Sequence, residues 1–332
     1  MKLGSRALLL ILQNAPALLF ILLLIVFGLM SDRFFAFNNF RNIVIQAAPI
    51  AILAIGMTFV LLTAQIDLSV GASMYLTASV AALYMADLPW PVSLLAVIVM
   101  AGAVGAVNGL IVTRLGIASF IVTLATLFIL RGIAMWLSNT RTLMFPDAIT
   151  SLNRASFLGV PSAIAGFLVV FALAWAILNQ TPFGRQVYAV GGDPESARKA
   201  GLPVGRIVFW CFVVSGVCAG LGGFVSVTQI GAVGPSYGQQ VEFSAIAAAV
   251  LGGVSLFGGR GSVVGTVFGA ILIKTVQNGL NIINADPYIY PLVTAGIIFL
   301  AVAIDGLRTR IVERMERRTI RPLDTGAAAA AE

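Results

Sequence analysis

Residues 7–30 read ALLLILQNAPALLFILLLIVFGLM, a run of 24 residues that contains no charged side chain. As an α-helix this run would be about 36 Å long, which exceeds the roughly 30 Å hydrocarbon core of a bilayer. It ends at Met30-Ser31-Asp32-Arg33 and lacks the shorter apolar stretch and small-residue cleavage site of a signal peptide. The run therefore predicts an uncleaved membrane-spanning helix.

The composition of the whole chain agrees with a membrane protein. Of its 332 residues, 59% are hydrophobic and 10% are charged, and the mean hydropathy is +1.01. Soluble domains carry about 25% charged residues, so this chain has too little charge to cover a surface that faces water. The same figures exclude a disordered chain, a fibrous chain, a nucleic-acid-binding protein and a disulfide scaffold. Lipid must therefore cover most of the surface.

Nine further apolar runs follow the first one, which gives about ten predicted transmembrane or re-entrant helices in an all-α polytopic membrane protein. Two runs are short for a full crossing and could be re-entrant or broken helices, namely Gly71–Ala86 and Phe243–Leu256. The other seven are Ile43–Ala64, Val92–Thr113, Ile117–Leu137, Ser162–Leu178, Ile207–Thr228, Val263–Ile283 and Tyr288–Ile304.

The basic residues predict the orientation of these helices. The net charge is +7, and with the N-terminus inside, 14 of the 20 Lys and Arg residues fall on the inner side and four on the outer side. The last two, Arg131 and Lys274, lie within apolar runs. This excess fits the positive-inside rule, so both termini are predicted to be cytoplasmic. The chain then divides into a transmembrane domain, residues 1–306, and a tail, residues 307–332, that is basic and then of low complexity.

The four outer arginines are candidates for docking a partner protein, because acidic patches on that partner would steer its association. They could equally anchor the chain at lipid headgroups. They lie in the predicted outer loops Ser31–Asn42 and Ser138–Pro161 and are Arg33, Arg41, Arg141 and Arg154.

Residue counts exclude several kinds of chemistry. The chain contains no histidine, which removes Ser-His-Asp triads, histidine-ligated metals and a histidine proton relay. Cys211 and Cys218 lie about 10 Å apart along one helix, too far for a disulfide, and are interpreted as small buried side chains. No acid–base or metal constellation is visible, so an integral membrane enzyme is a distant alternative.

Polar residues interrupt the apolar sequence at two places. Asp67 separates two apolar runs, and it could cap the second helix or take part directly in a transport pathway. The segment Gly252–Gly261 contains five glycines without the spacing of a phosphate-binding loop and predicts a tight turn between helices. A weak internal echo relates Ile50–Gly71 to Ile246–Gly265, as in transporters that are built from repeats.

The polar interval at about 181–206 predicts a short, well-capped helix outside the membrane. Asp193 can cap its N-terminus, Glu195 favours the positive end of its dipole, and Gly201 ends it. Arg198 and Lys199 favour the negative end. A helix of two turns buries little by itself and needs a partner to be ordered.

Six ordered stretches carry a resemblance to a known family. The chain resembles the permease subunit of bacterial ABC importers of the ribose-type sugar branch, whose relatives handle ribose, xylose, arabinose, fructose, galactofuranose and autoinducer-2. The match covers about residues 45 to 306. Its stretches are Ile66 to Gly71, Val107 to Leu110, Phe120 to Ala125, Gly184 to Gly201, Ala245 to Gly259 and Asn278 to Asn281.

The resemblance implies a multi-pass protein of the bacterial inner membrane that forms a pore with a second permease subunit, identical or sister. Two ATP-binding cassette subunits would power it, and a periplasmic substrate-binding protein would deliver a monosaccharide-like solute. No Walker motif occurs in this chain, so no cofactor is expected on it, and ATP and magnesium would bind to the partner ATPase.

The resemblance also implies candidate site residues. The family's coupling loop corresponds to Gly191–Gly201, and its candidates for ATPase coupling are Asp193, Glu195, Ala197, Arg198, Lys199, Ala200 and Gly201. Independently of the resemblance, polar side chains beside a helix break or a small-residue face are candidates for the substrate pathway, namely Gln65, Asp67, Asn108, Glu242 and Ser244. Near two of these the chain departs from its relatives: it has Ala64-Gln65 where they usually have two glycines, and Glu242-Phe243-Ser244-Ala245 where many have Glu-Leu-Asp-Ala.

Two alternatives remain at this point. A branched-chain amino-acid permease of the same superfamily is the nearer one, although the stretch Ile66 to Gly71 is typical of the sugar branch. A secondary transporter or channel could share the composition, but it would typically use membrane carboxylates to bind a coupling ion.

Overall fold

The computed structural model describes residues 15–286, 288–296, 299 and 303, and its regular structure is almost entirely helical. The predicted tail and residues 7–14 of the first apolar run lie outside these residues. The helices are α1 (Ala15–Met30), α2 (Phe37–Leu62), α3 (Val70–Tyr84), α4 (Trp90–Leu115), α5 (Ser119–Ser138), α6 (Asp147–Thr150), α7 (Ser162–Gln180), α8 (Pro182–Gly192), α9 (Pro194–Lys199), α10 (Val204–Ile230), α11 (Val241–Leu251) and α12 (Val263–Ile282).

Two small antiparallel ribbons join the loops at one end of the bundle. The first pairs β1 (Leu143–Met144) with β4 (Ala232–Val233). The second pairs β2 (Ser156–Phe157) with β3 (Val160–Pro161), directly after a 3-10 helix at Ser151–Arg154. We call this the β end. The opposite end, which carries α8, α9 and the turn between α11 and α12, is called the α8 end.

Within the described residues, six helices are long and apolar enough to cross a membrane, namely α2, α4, α5, α7, α10 and α12. Residues Phe20–Met30 of α1, together with α3 and α11, are shorter apolar helices. These findings confirm the prediction of an all-α polytopic membrane protein. The tenth predicted run is described only in part and is helical over residues 289–296.

The two short predicted runs are indeed short helices. Helix α3 has 15 residues, or about 22 Å, and α11 has 11 residues, or about 16 Å, so neither equals the roughly 30 Å core. The predicted run Phe243–Leu256 extended too far, because the chain turns at Gly252-Gly253 and Gly253 takes a φ of +86°. Helix α2 begins at Phe37, so Arg41 lies on a helix and not in the predicted outer loop.

Helix α2 is the centre of the bundle. It packs against α7, α10, α11 and α12, and almost every side chain from Ala47 to Leu62 is buried. Small residues allow the close contacts, as their number in the sequence suggests. A Cβ atom at Gly105 of α4 would overlap the carbonyl oxygen of Phe212 in α10, and one at Gly216 would overlap that of Ala101.

The helices α2 and α11 end in the same way. The amide of Gln65 donates to the carbonyl of Val60 (3.1 Å), and the amide of Val254 donates to that of Ala249 (2.9 Å). The residue before each donor has a left-handed backbone, with φ of +57° at Ala64 and +86° at Gly253. This is the Schellman pattern, which usually places glycine at the left-handed position. The weak sequence similarity between Ile50–Gly71 and Ile246–Gly265 thus coincides with two helices that end in the same way.

Replacing Ala64 with glycine should stabilise the protein. A left-handed residue with a Cβ atom costs about 1–2 kcal/mol, and the extra chain entropy of glycine costs about 0.5–1 kcal/mol, so Ala64→Gly should gain roughly 0.5–1 kcal/mol. Because the Ala64 side chain is exposed, little packing is lost. Thermal unfolding in detergent should show a higher Tm.

The matched control is Ala103→Gly, at an exposed position inside the helix α4. There glycine costs about 1 kcal/mol relative to alanine, so the Tm should fall. A fall of the Tm in both variants would show that Ala64 is not strained.

Candidate functional site

The carboxylate of Asp67 holds together the break between α2 and α3. It accepts hydrogen bonds from the Ser69 amide (3.0 Å) and the Ser69 hydroxyl (2.6 Å), and from the Ser215 hydroxyl of α10 (2.8 Å). Asp67 is 1% exposed. Its bond to the amide two residues ahead is an Asx turn that precedes α3. The expected cap of α3 is therefore present in altered form, because Asp67 lies before the N-cap residue Ser69.

A chain of buried hydrogen bonds extends from Asp67 to two further helices. The Asn108 amide of α4 donates to the Ser69 hydroxyl (2.8 Å), and the Thr126 hydroxyl of α5 donates to the Asn108 carbonyl (2.7 Å). Asn108 is fully buried. The network thus links the break to α4, α5 and α10, and the pathway candidates Asp67 and Asn108 lie inside it.

The N-termini of the two short helices meet inside the bundle. A Cβ atom at Gly71, in the first turn of α3, would overlap both a carboxylate oxygen of Glu242 and the carbonyl oxygen of Gly238. Glu242 lies in the first turn of α11 and is buried. A carboxylate at this position is favoured by the positive ends of helix dipoles.

Arg131 is a residue of this centre to which the sequence analysis assigned no role. Its guanidinium group donates to the carbonyl of Pro235 (3.0 Å) and to that of Tyr237 (3.3 Å). It also lies 5.5 Å from the centre of the Tyr75 ring, as in a cation–π contact. Arg131 therefore fixes the segment that leads into α11. The sequence does contain one signal for such a role, because Arg131 is a single charged residue within the apolar run Ile117–Leu137.

The two remaining pathway candidates are only half-buried. Gln65 follows the end of α2, and its side-chain amide makes a long contact of 3.4 Å to the Thr63 carbonyl. The Ser244 hydroxyl makes a similar contact to the Gln240 carbonyl (3.4 Å). Both side chains therefore keep capacity for hydrogen bonds to a polar solute.

The predicted short helix is present as α9. Asp193 caps it and accepts hydrogen bonds from the amides of Glu195 (3.0 Å) and Ser196 (3.2 Å). The Ser196 hydroxyl also donates to this carboxylate and is the main reason that the pKa of Asp193 lies below its usual value. Gly201, with a φ of +84°, follows the helix as predicted.

The coupling candidates on α9 divide into two groups. The side chains of Glu195, Arg198, Lys199 and Ala200 are exposed. Lys199 pairs with Glu195 at 2.8 Å. Ala197 is instead buried against the chain itself, at 6% exposure, so it supports α9 from behind and belongs to the second group.

Behind α9, three segments meet at a glycine junction, which we define as Gly191, Leu62 and Gly259. The amide of Gly259 donates to the Leu62 carbonyl (2.9 Å), and a Cβ atom at Gly191 would overlap that same carbonyl. The Tyr188 hydroxyl also donates to the Gly261 carbonyl (2.9 Å). The predicted tight turn at 252–261 therefore connects the end of α8 with the end of α2.

The four arginines proposed for docking are all exposed. At the β end, the loop that carries Arg141 and Arg154 is held by the pairing of β1 with β4 and by a bond from the Phe145 amide to the Gly231 carbonyl (2.9 Å). In the described part of the chain, no group of three or more acidic or cysteine side chains could hold a metal ion.

Comparison with known proteins gives close relatives over nearly the full length. The D-allose transport system permease protein of Escherichia coli is 38% identical over 87% of this chain and 90% of its own length. The ribose import permease protein of Haemophilus influenzae is 36% identical over 86% and 90%. The fructose import permease protein of Rhizobium meliloti is 35% identical over 87% and 84%. No solved structure matches the chain.

A family match agrees with these relatives and confirms the resemblance seen in the sequence. Residues 39–303 match the family described as branched-chain amino acid transport system / permease component. The match includes the buried Asp67 network, the meeting point of α3 and α11, and the helix α9. The chain therefore belongs to this family of transport-system permease components.

Proposed function

We propose that the chain is the membrane-spanning subunit of an ATP-driven, binding-protein-dependent importer that carries a monosaccharide or sugar-like solute into the cytoplasm. The observation that carries this proposal is identity of 35–38% to ribose, allose and fructose permeases over more than four fifths of each chain. The family description names branched-chain amino acids, so an amino-acid permease is the nearest alternative. The similarity to several sugar permeases favours a sugar.

We infer that the α8 end faces the cytoplasm and the β end faces the periplasm. Among the described residues, more basic side chains lie at the α8 end than at the β end, which fits the positive-inside rule. Those at the α8 end are Arg114, Arg185, Arg198, Lys199, Arg206 and Arg260, and those at the β end are Arg33, Arg41, Arg141 and Arg154. In this arrangement the ten segments cross or enter the inner membrane and both termini are cytoplasmic. The orientation places α9 where an ATPase can reach it.

The solute pathway is proposed to run beside the half-buried candidates. Gln65 and Ser244 offer amide and hydroxyl groups, which suit the hydroxyls of a sugar, and Glu242 lies at the meeting of two helix N-termini. Asp67 and Asn108 have their hydrogen bonds satisfied within the protein. Their proposed part is to hold the break that lines the pathway.

The exposed surface of α9 is proposed to dock on the ATP-binding cassette subunit, which binds ATP and magnesium. An isolated helix of six residues is marginal in water, yet α9 has a cap at each end and an ion pair on its surface. The charged side chains available to this partner are Glu195, Arg198 and Lys199. A second permease subunit, identical or sister, would complete the pore.

The glycine junction is proposed to pass movement of α9 to the pathway. Asp193 is both the C-cap of α8 and the N-cap of α9, so a single residue joins the two helices. Gly191 of α8 contacts Leu62, and Leu62 is followed within five residues by Asp67. A shift of α9 therefore acts on a short segment that leads to the pathway.

At the β end, the exposed arginines are proposed to receive the periplasmic substrate-binding protein. Arg141 and Arg154 project from a loop that is braced by β1 and β4, which gives a docking surface with a fixed shape. Positive charge would steer an acidic partner surface.

Transport assays on the assembled importer test the proposed solute. Proteoliposomes that contain the chain, its ATP-binding subunit and its binding protein should take up ribose, allose or fructose only when ATP is present. Labelled leucine should not enter. Leucine uptake would favour the amino-acid alternative, and uptake driven by an ion gradient without ATP would indicate a secondary transporter.

A bulky residue on the outer surface of α9 should block the ATPase. Ala200→Trp would overpack the contact, at a cost of about 1–3 kcal/mol, or about 5- to 150-fold weaker association. Co-purification of the ATPase and sugar-stimulated ATP hydrolysis should both fall. The control is Ala103→Trp, at an exposed position in the middle of α4 and away from both proposed docking surfaces, which should assemble and respond normally. Full stimulation in Ala200→Trp would refute the docking assignment.

Neighbouring glycines provide a matched test of the junction. A Cβ atom at Gly191 would overlap the Leu62 carbonyl, whereas one at Gly192 would meet no atom within 4 Å. We expect Gly191→Ala to lower the sugar transported per ATP hydrolysed, while Gly192→Ala stays at the parent value. A purely structural role would instead lower the Tm with an unchanged ratio. If Gly191→Ala does not fold, Tyr188→Phe removes one junction hydrogen bond and is measured in its place.

A further inference from the structure

A slot of about 260 Å³ lies between α7 and the pair α4 and α10. Its walls include Leu94 of α4, Gly166 and Val170 of α7, and Leu221 and Phe224 of α10. The slot is apart from the Asp67 network and from the glycine junction. Its volume is below the roughly 300–1,000 Å³ typical of small-molecule sites, and its walls are almost wholly hydrocarbon.

The length and polarity of the slot match one leaflet of a bilayer. On α7 the walls run from Ser162 to Val170, about 12 Å along the helix, and on α10 from Thr228 to Leu221, about 10 Å. One half of the hydrocarbon core is about 15 Å thick. Both hydroxyl groups of the walls, those of Ser162 and Thr228, lie near the β end, as does the ring of Trp90, a residue type that favours the membrane interface.

We propose that this slot binds one acyl chain of a membrane phospholipid, with the lipid headgroup at the β end. The slot adjoins surfaces that face lipid, since Leu95 and Val99 on α4 and Val169 and Leu173 on α7 are each about 60% exposed. Apolar cavities do not retain water. A hydrocarbon chain that enters from the adjoining lipid restores the contacts that empty walls lack.

The packing of the helices indicates that the bound acyl chain would have a structural role. Helix α7 packs against α2 and α8, whereas α4 packs mainly against α10. The slot lies between α7 on one side and α4 and α10 on the other, and Ile52 of α2 also lines it, so an acyl chain in it contacts all of these helices. A Cβ atom at Gly166 would meet no other atom within 4 Å, which leaves the slot open along α7.

A photoreactive lipid tests the proposal in the complete importer. The permease and its partner subunits are reconstituted in phosphatidylethanolamine vesicles that contain a small fraction of the same lipid with a diazirine in the lower half of one acyl chain. After illumination, labelled residues are mapped by peptide mass spectrometry. We expect label on Leu221 and Phe224, of which Phe224 is only 7% exposed, as well as on the lipid-facing residues Val99 and Leu173.

Substitution of Gly166 distinguishes labelling by a lipid chain inside the slot from labelling by the surrounding lipid. Gly166→Leu should abolish the label on Phe224 and keep that on Leu173, because the leucine fills the slot. The control Gly132→Leu, on the exposed face of α5 where a Cβ atom also meets open space, should change neither. If Gly166→Leu does not assemble, Val170→Phe narrows the same slot and is mapped in its place.

Two results would overturn the proposal. Absence of label on Leu221 and Phe224 in the parent protein would show that the slot is closed or is covered by the second permease subunit. Unchanged label on Phe224 in the filled variant would show that the lipid reached it by another route. Loss of the label with normal Tm and normal assembly supports the acyl-chain site.

Discussion

The hydrogen bonds to the Asp67 carboxylate are the constraint on which the centre of the molecule depends. Inside a bilayer, a helix can break only where the protein itself satisfies the freed polar groups. Asp67 accepts three hydrogen bonds, two from Ser69 and one from Ser215. Through Ser69 and Asn108 the same network reaches α4. The break between α2 and α3 is therefore enclosed by protein on several sides, and a short helix can begin within the membrane.

The second short helix depends on this first one. Helix α11 begins where Gly71 of α3 leaves no room for a side chain, and Arg131 holds the preceding segment by its carbonyl oxygens. If α11 were long enough to cross the whole membrane, its N-terminus would lie beyond the depth at which Gly71 meets Glu242. Because both helices begin inside the bundle, their first-turn amides and the Glu242 carboxylate are concentrated at one depth. The pathway proposed above would pass these polar groups, which lipid-facing helix surfaces do not offer.

The features that depend only on neighbouring residues in the sequence could be predicted, whereas those that depend on distant residues could not. The cap at Asp193 and the stop at Gly201 involve neighbours within a few residues, so the position of α9 was predicted correctly. The long helices were predicted correctly as well, because an apolar run is also a local feature of the sequence. The hydrogen bonds from Arg131 to the carbonyls of Pro235 and Tyr237, and the meeting of Gly71 with Glu242, join residues more than 100 positions apart. No local sequence pattern indicates them. The burial of Ala197 and the early start of α2 at Phe37 likewise depend on how the helices assemble.

The segment between the glycine junction and Asp67 combines strain with fixed ends. Leu62 is held by the Gly259 amide on one side, and Asp67 is held by Ser215 on the other. Between them Ala64 keeps a left-handed backbone, at a position where the Schellman pattern usually has glycine and at a cost of about 1–2 kcal/mol. Strained residues persist where the surrounding structure determines them, and they concentrate at sites that switch. A short strained segment between two anchored ends is suited to respond to small displacements of either end. Here one end contacts Gly191 of α8, two residues before Asp193, the N-cap of α9, and the other end adjoins the proposed pathway.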